Sequence, residues 1–354
     1  MLRKDFIDRL DLVSPALARN DLIQILTHFA FTGDSVLAFN EQIGMSTPLK
    51  TEFVGGVPGK LLMDLLNASK AKDVEFVDKK TELEIKAASS RFRLPVLTKD
   101  AFVFEMPKPS DKTLPIPLKQ FAQALDGCLR SVSTDQSTPD QLGVTLLPKG
   151  TDEIQFFSTN NATLSTTSLQ LTTGKLPFKG RIILPALFCE QVVKLVKDSK
   201  DKLEIRDDHA LLSVGNVRCF GRFLNSPKPV DFQSVVDTNL KGVAKRLCPI
   251  PSKLRLVVER AIIVTQAEKV LTNITVKDGI MRFESKSGRG EVIDSVQVDQ
   301  DDAELALDPK HLKVGMASFY DADEAKCGQM LMTDQCFIMA RGSDYYLMAG
   351  SSPS

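Results

Sequence analysis

Residues 57–76 read VPGKLLMDLLNASKAKDVEF, and the same order of features returns twice further along the chain. The second copy is LPALFCEQVVKLVKDSKDKLEI (184–205) and the third is DPKHLKVGMASFYDADEAKCGQMLM (308–332). Each copy has a proline near its start, a helical pattern of about a dozen residues, a charged turn and an alternating strand. The three prolines lie 127 and 124 residues apart. This period is longer than the ~20–50 residues of a solenoid unit, so it predicts repeated domains.

A second predicted helix follows the same spacing. IPLKQFAQALDGCLRSV begins at Ile116 and IPSKLRLVVERAIIV begins at Ile250, and both place apolar residues at helical intervals. LRKDFIDRLDLV, from Leu2, supplies the third copy. Each repeat therefore has one helix at its start and another in its second half.

Alternating apolar and polar residues between these helices predict strands. They include ELEIK (82–86), RFRLP (91–95), KLEIR (202–206) and NITVKDGIMRFE (273–284), in which Lys277-Asp278-Gly279 predicts a hairpin turn. Strands with one apolar face suit antiparallel sheets packed on helices.

The predicted fold class is α+β, with three repeated domains of two helices packed on antiparallel sheets. The predicted domains are residues 1–112, 113–243 and 244–354. Their linkers fall near Pro107–Pro115 and Asp237–Arg246, which are rich in residues that interrupt regular structure.

Composition predicts a globular protein of two or three domains. The 354 residues are 43% hydrophobic and 25% charged, and they contain no apolar run of ~18 residues that could span a membrane. MLRKDFIDRLD, at the start, carries charges where a signal peptide has an apolar core. We therefore expect a cytoplasmic protein without a membrane partner.

The cysteines and histidines do not predict a metal or catalytic site. The six cysteines show no CxxC spacing, and the three histidines are far apart in sequence, so reduced and mostly buried thiols are expected. A Cys–His pair formed by folding stays open as an alternative. We expect no metal, no cofactor and no catalytic residues.

FVGGVPGKLL (53–62) resembles a phosphate-binding loop without meeting its requirements. A Walker A loop needs a glycine where Val54 stands and a Ser or Thr where Leu61 stands. The alternative interpretation is a strand that ends at Val57-Pro58, with Pro58 starting a helix.

Positive charge is concentrated on the predicted helices. In chain order the six helices carry net charges of 0, +2, +1, +1, +2 and +2, whereas Lys plus Arg equals Asp plus Glu, at 45 each, over the whole chain. Such helices could face a phosphate backbone, although Lys and Arg also occur on ordinary solvated helices. With no Trp and only three Tyr, stacking on single strands is disfavoured relative to sequence-independent duplex contact.

The repeat, the helices and several local motifs together resemble the bacterial β sliding clamp, the β subunit of DNA polymerase III. SRFRLPVL (90–97) is similar to the end of that family's first domain. STDQSTPDQLGVTLL (133–147) is similar to the stretch after the first helix of the second domain. RFLNSPKPVDFQSV (222–235) and DYYLM (344–348) are similar to the closing segments of domains two and three.

The resemblance implies a non-catalytic processivity factor. In this family two copies join head to tail into a homodimeric ring, whose helices line a hole around double-stranded DNA. A short-peptide cleft then tethers the replicative DNA polymerase, the clamp loader and other replication or repair proteins.

The resemblance also implies site residues. The partner-peptide pocket would comprise Thr159, Asn160, Asn161, Ala162, Thr163, Leu164, Val230, Ser234, Val235, Tyr346, Leu347, Met348 and Ala349. The DNA-facing residues would be Arg19, Lys60, Lys70, Lys72, Lys119, Arg130, Lys194, Lys197, Lys253, Arg255, Lys310 and Lys313. The dimer interface would contain Phe102, Ile263 and Val264. Without the resemblance, these residues are typical of strand ends, loops, solvated helix faces and core.

The pocket departs from the family pattern at several positions. Asn160-Asn161-Ala162-Thr163 stands where the family has Asp-Gly-His-Arg, Gln141 replaces a leucine, and Ala349-Gly350-Ser351 replaces Pro-x-Arg. A divergent clamp-like protein that engages replication partners without acting as a ring is therefore an alternative. A cytosolic enzyme is a further alternative, and it would need converging ionisable residues that the sequence does not display.

Overall fold

The computed structural model describes residues 1–19, 23–102, 104–110, 113–171, 175–197, 201–226, 230–268, 270–321 and 327–352, with the backbone alone for Gln233. Its α-helices are α1 (Arg3–Val13), α2 (Gly59–Ala68), α3 (Leu118–Leu129), α4 (Ala186–Leu195), α5 (Phe232–Leu240), α6 (Leu254–Thr265) and α7 (Pro309–Phe319). Six of them confirm the predicted helices, although α2 and α4 end before residues 72 and 200, to which the sequence pattern had predicted these helices to extend.

The strands form antiparallel sheets. In chain order they are β1 (His28–Phe31), β2 (Ser35–Phe39), β3 (Ile43–Pro48), β4 (Gly55–Pro58), β5 (Glu75–Asp78), β6 (Glu82–Ala87), β7 (Ser90–Pro95), β8 (Gly143–Lys149), β9 (Glu153–Thr159), β10 (Thr163–Gln170), β11 (Ile182–Pro185), β12 (Lys202–Ile205), β13 (His209–Val214), β14 (Val217–Arg222), β15 (Cys248–Pro249), β16 (Thr272–Lys277), β17 (Ile280–Ser287), β18 (Gly290–Gln297), β19 (Ala303–Leu307), β20 (Gln329–Met332), β21 (Cys336–Arg341) and β22 (Asp344–Ala349).

The chain divides into two compact units. Unit 1 comprises Met1–Ala122 and Leu171–Leu224, and unit 2 comprises Gln123–Gln170 and Asn225–Ser354. Unit 1 contains one sheet in the order β12-β13-β14-β3-β2-β1-β4 and another in the order β5-β6-β7. In unit 2 the strands follow the orders β8-β9-β10-β22-β21-β20-β15 and β18-β17-β16-β19.

These units do not coincide with the three predicted domains, because sheets run across the boundaries between repeats. In unit 1, β3 of the first repeat pairs with β14 of the second. In unit 2, β10 of the second repeat pairs with β22 of the third. The α+β class and the antiparallel sheets are confirmed, whereas the division at residues 112 and 243 stays a prediction.

Local signals account for individual elements. Asp278 and Gly279 both have positive φ, at 51° and 73°, and they form the two-residue turn of the predicted hairpin, since Lys277 already pairs with Ile280. In unit 1, α1 buries Phe6, Leu10 and Val13, which recur at helical spacing along one face.

In unit 1, the Arg3 side chain donates hydrogen bonds at the C-terminal end of α2. Its Nη1 donates to the carbonyl of Leu66 at 2.8 Å, and its Nε donates to the carbonyl of Ala71 at 2.8 Å. The last carbonyls of a helix have no partner within the helix, so the guanidinium satisfies one of them and one beyond it. The chain leaves the helix after Ala68, and Lys70 and Lys72 therefore follow α2 instead of lying on it.

The helix α5 lies partly in the segment that the sequence predicted as a linker. Asp231 caps its start, because its carboxylate accepts a hydrogen bond from the Ser234 amide at 3.1 Å. Phe232, Val236 and Leu240 recur every four residues and pack on one cluster. The prediction of an irregular linker over Asp237–Arg246 was wrong for its first part, because this apolar stripe extends the helix to Leu240.

The first predicted linker, Pro107–Pro115, has no helix or strand in its described residues, and it is fastened to the edge of unit 1. Glu204 on β12 is almost fully buried, and its two carboxylate oxygens accept from the Ser110 amide at 2.9 Å and the Ser110 hydroxyl at 2.7 Å. Arg206 donates to the same carboxylate at 2.6 Å and to the carbonyl of Lys108 at 2.6 Å. Together Glu204 and Arg206 hold the linker against the outermost strand of the sheet, which covers an otherwise open edge.

Candidate functional site

The predicted peptide-binding residues all lie in unit 2, on three segments: the hairpin between β9 and β10, residues 230–235, and β22. The first segment is the hairpin between β9 and β10. Asn161 has φ of 70°, and the side-chain oxygen of Asn160 accepts from the amides of Ala162 at 3.1 Å and Thr163 at 2.8 Å. Asparagine tolerates both the left-handed backbone and this local hydrogen bonding, which explains the pair at the turn.

The third segment, β22, presents alternate residues to opposite faces of the sheet. Leu347 packs in a cluster with Leu164, Phe157 and Phe232, on the side covered by α5. Tyr346 and Met348 pack in a different cluster, with residues of α6 and α7. The structure therefore brings Leu164 and Leu347 together and places the side chains of Tyr346 and Met348 on the other face.

The middle segment, residues 230–235, lies over the same cluster. Val230 packs against it, and the Val230 amide donates to the carboxylate of buried Asp140 at 3.1 Å. The ring of Phe232 stacks on Phe157 with centroids 5.3 Å apart. Ser234 is exposed, and the Val235 side chain is 37% exposed. We define the candidate cleft as Leu164, Leu347, Val230 and Val235 with the polar residues of the hairpin turn.

A pair of amide side chains borders the candidate cleft. Gln141 is buried, and its Nε2 donates to the Oδ1 of Asn161 at 2.8 Å. Gln141 is one of the positions where the sequence departs from the family pattern, and the fold supplies Asn161 as its partner. Sequence reasoning also missed Phe232 and Asp140, although the apolar stripe of α5 could have indicated Phe232.

Buried hydroxyl groups lie beneath the hairpin. Ser131 and Ser165 share a hydrogen bond of 2.8 Å, and Thr163 donates to Ser131 at 3.0 Å. Burial raises the pKa of Tyr346 to about 12, against smaller opposing effects of a hydrogen bond with Thr163 and the charge of Arg130. The hydroxyl network links β10 to the segment that follows α3, behind the hairpin.

Most of the predicted DNA-facing residues lie on the helices or within a few residues of their ends, whereas Arg19 lies in the loop after α1. Arg19, Lys60, Lys70, Lys72, Lys119, Lys194 and Lys197 of unit 1 are exposed, as are Lys253, Arg255 and Lys313 of unit 2. Arg130 and Lys310 are half-buried. Arg130 bonds Asp126 at 3.2 Å and Arg255 bonds Glu259 at 3.0 Å, so two of the predicted cations are partly neutralised by their own helices.

The predicted interface residues differ in exposure. Ile263 on α6 is 69% exposed, an unusual position for a large apolar side chain, and Val264 beside it is half-buried. In unit 1 Phe102 is half-buried and packs closely on Gly56, where an added Cβ would lie 2.9 Å from its ring.

The glycines of the phosphate-loop look-alike serve packing instead. Gly55 and Gly56 lie in β4, and α2 follows from Gly59, as the strand-then-helix interpretation predicted. A Cβ at Gly55 would lie 2.8 Å from the carbonyl of Leu97, and one at Gly59 would lie 2.5 Å from the Leu17 side chain. Close contacts account for these glycines.

Three further features of the described residues concern metal binding, the cysteine thiols and membrane spanning. No cluster of three or more His, Cys, Asp or Glu side chains there could hold a metal ion. Five cysteines are buried and Cys327 is half-buried, all with free thiols, and burial raises the pKa of Cys128, Cys219, Cys248 and Cys336. None of the described helices combines the length and apolar character needed to cross a membrane.

No family model matches the chain. Solved structures do match it over its full length. A sliding clamp (DNA polymerase III subunit beta) from Bartonella birtlesii, bound to griselimycin, has a TM-score of 0.83 at 14% identity, covering 100% of this chain and 98% of that one. The DNA polymerase III beta subunit from Thermotoga maritima has a TM-score of 0.82 at 16% identity, covering 100% and 99%. The subunit from Pseudomonas aeruginosa has a TM-score of 0.79 at 16% identity, with the same coverage. The chain has the fold of these clamps from end to end.

Proposed function

We propose that this protein is a sliding clamp, a non-catalytic processivity factor that encircles double-stranded DNA and tethers replication proteins. The observation that carries the proposal is the full-length similarity in fold to solved DNA polymerase III beta subunits, with TM-scores of about 0.8. Two copies would join head to tail, because a closed ring needs six repeats and one chain supplies three. Its expected location is the cytoplasm.

Exposed basic residues on the helices support a sequence-independent DNA contact. Lysines on α2, α3, α4 and α7 are exposed, and a diffuse positive lining can attract phosphates without reading bases. Such a lining permits sliding, since no base contact has to be broken at each step.

The candidate cleft supports binding of a short extended peptide. Leu164 and Leu347 belong to one buried apolar cluster, and the half-buried Val230 packs against it. Val235 adds an apolar side chain, 37% exposed, on the neighbouring helix α5. Apolar grooves of this kind accept peptides through a few anchor side chains. The proposed partners are the replicative DNA polymerase, the clamp loader and other proteins with such a peptide. They would compete for one cleft in each chain.

Retention on circular DNA tests the ring. The protein loaded on a nicked circle should remain bound at about 1 M salt, where electrostatic contacts are largely screened. One double-strand cut should then release it, because a ring slides off a free end. Loss from the intact circle at the same salt would contradict encirclement, and a circle without loading serves as the control.

The Gln141–Asn161 pair favours one second candidate function, a clamp-like protein with its own set of partners. A buried amide where the family has leucine makes one wall of the cleft polar. If the ring test fails while a peptide still binds unit 2, this second function replaces the first.

Gln141→Leu should strengthen binding of a peptide with leucine and phenylalanine anchors by about tenfold. The change removes the amide pair and adds apolar surface of roughly one side chain, worth about 1.5 kcal/mol when covered. Fluorescence anisotropy with a labelled synthetic peptide measures the effect. Gln329→Leu, at an exposed position of β20, is the matched control and should leave the affinity unchanged. If the Q141L variant binds the peptide with unchanged affinity, residue 141 does not contribute to the peptide-binding cleft.

A further inference from the structure

The hairpin turn that borders the candidate cleft has a close counterpart in unit 1, between β2 and β3. The side-chain oxygen of Asn40 accepts from the amides of Gln42 at 3.2 Å and Ile43 at 2.9 Å, as the side-chain oxygen of Asn160 does for two amides of unit 2. Glu41 has φ of 71°, and the residue after Asn160 has φ of 70°. Because the two turns have the same form, the strands that leave them can be matched residue by residue.

The strands beside these hairpins are also paired in one register. In unit 1, β3 pairs antiparallel with β14, and in unit 2, β10 pairs antiparallel with β22. Counted from the turns, the matched residues of unit 1 and unit 2 are Gly44 with Leu164, Phe39 with Thr159, and Phe220 with Leu347. Since side chains alternate between the faces of a strand, matched residues lie on the same face. Gly44 and Phe220 therefore mark the place in unit 1 that corresponds to Leu164 and Leu347 in the candidate cleft.

The side chain of Phe104 covers this place in unit 1. Its aromatic ring stacks on Phe39, with centroids 4.1 Å apart and planes 3° apart, and its centroid lies 5.3 Å from that of Phe220. A Cβ at Gly44 would lie 2.6 Å from the Cζ of Phe104, so glycine leaves the room that the aromatic ring needs. Where unit 2 has the side chain of Leu164, unit 1 has a phenylalanine from the segment that follows its first repeat.

The aromatic ring of Phe232 in unit 2 lies at a different position. It stacks on Phe157, which precedes Thr159 by two residues on β9, whereas Phe104 stacks on Phe39, the counterpart of Thr159. Phe104 is therefore two residues nearer the hairpin turn than Phe232. It lies over the counterpart of the candidate cleft, and not over the counterpart of the place that α5 covers.

The segment that carries Phe104 is held on both sides. Phe102 packs on Gly56, and the backbone amide and hydroxyl of Ser110 bond the carboxylate of Glu204. Residues 104–110 form neither helix nor strand. A group tethered by a short segment has an effective concentration of about 1 mM, which exceeds the concentration that a free peptide usually reaches. Phe104 should therefore outcompete a free peptide for this place.

We propose that unit 1 contains a second peptide cleft, which Phe104 occupies as an internal ligand. The proposal rests on the peptide binding proposed above for unit 2, and it specifies that one chain takes one peptide because the second cleft is filled. The partner that fits the cleft of unit 1 is a short peptide with a phenylalanine anchor, since a phenylalanine side chain fills it in the folded chain. Such a peptide gains access only when the side chain of Phe104 leaves.

Phe104→Ala tests the proposal through the number of peptides bound. Isothermal titration calorimetry with the synthetic peptide that has leucine and phenylalanine anchors should give about one peptide per chain for the original protein and about two for F104A. Phe76→Ala is the matched control and should stay at about one, because Phe76 is a half-buried phenylalanine of unit 1 that stacks on Phe6 instead, with centroids 4.5 Å apart. Circular dichroism checks that both variants are folded. One peptide per folded F104A chain would overturn the proposal.

Gly44→Leu is a second test, which changes the sheet and leaves the segment intact. The leucine takes the space of the Phe104 side chain and reproduces Leu164 of unit 2. G44L should therefore also bind about two peptides per chain. A folded G44L variant that binds one peptide would count against the proposal in the same way.

Photo-cross-linking locates each bound peptide and separates this proposal from the proposed function. The same peptide, with benzoylphenylalanine as its aromatic anchor, should label β10 or β22 in the original protein, and additionally β2, β3 or β14 in F104A. Two peptides that label unit 2 alone would overturn the second cleft. If neither protein is labelled in unit 2, the proposed peptide binding by that unit fails, whereas labelling of unit 1 in F104A would still support the second cleft.

Discussion

Phe232→Ala is expected to destabilise unit 2 by about 3–5 kcal/mol and to abolish peptide binding. The ring of Phe232 is 1% exposed and stacks on Phe157, and it joins α5 to the cluster that forms the floor of the candidate cleft. Its removal leaves a cavity where Leu164 and Leu347 now have a packing partner. The cost is large because neighbouring strands cannot close over the space.

Urea unfolding followed by circular dichroism measures the stability, and anisotropy with the labelled peptide measures binding. Val235→Ala, on the same helix and 37% exposed, is the matched control for stability alone and should cost less than about 1 kcal/mol. An F232A variant as stable as V235A would show that α5 does not support the cluster. A stable F232A variant with normal peptide binding would place the cleft elsewhere.

Glu204→Ala is expected to destabilise unit 1 by about 2–4 kcal/mol. The carboxylate holds Ser110 and Arg206 at once, so its loss removes several charge-assisted hydrogen bonds and frees the linker from β12. Glu204→Gln keeps the volume but loses the charge, and it should cost about half as much. Glu75→Gln, which breaks an exposed ion pair with Lys86 of 2.9 Å, is the control and should cost less than about 1 kcal/mol.

The same group predicts a pH dependence. Burial opposes ionisation of Glu204, but hydrogen bonds from Arg206 and Ser110 outweigh it and hold the pKa of its carboxyl below the ordinary value. A lowered folded-state pKa stabilises the protein above the pKa of the unfolded chain, near 4.3, and this contribution is lost as pH falls through the folded-state value. Below about pH 4, the urea midpoint of the original protein should decrease with falling pH more steeply than that of E204Q. If the urea midpoints of the two proteins change with pH in parallel, Glu204 is not a cause of the pH dependence.

Local sequence signals predicted the elements well where neighbouring residues decide them. The hairpin at Asp278-Gly279 follows from the φ angles those residues tolerate, and α1 follows from the spacing of Phe6, Leu10 and Val13. Lys, Asp and Gly residues in Asp237–Arg246 predict a linker, but the apolar stripe of α5 extends the helix to Leu240. The glycines of β4 looked like ligand-binding residues because sequence does not show which side chains approach them.

The candidate site could be predicted only in part. The resemblance indicated the right segments, and the folded chain brings Leu164, Val230 and Leu347 together from positions far apart in sequence. It could not predict that Tyr346 and Met348 face α6 and α7, because YYLM is apolar at every position and has no alternation to read. The roles of these residues in binding, and those of the DNA-facing and interface residues, stay predictions.

The sequence by itself determined the threefold repeat, the positions of six helices, the hairpin turn at Asp278-Gly279 and the charges that the helices carry. These depend on residues near one another in the chain, whose backbone preferences and spacing are local. The tertiary structure decided the shared register of β3–β14 and β10–β22, the hold of Glu204 on a linker 94 residues away, and the face to which each residue of β22 turns. Pairing between distant strands depends on which surfaces meet in the folded chain, and no local pattern contains that information.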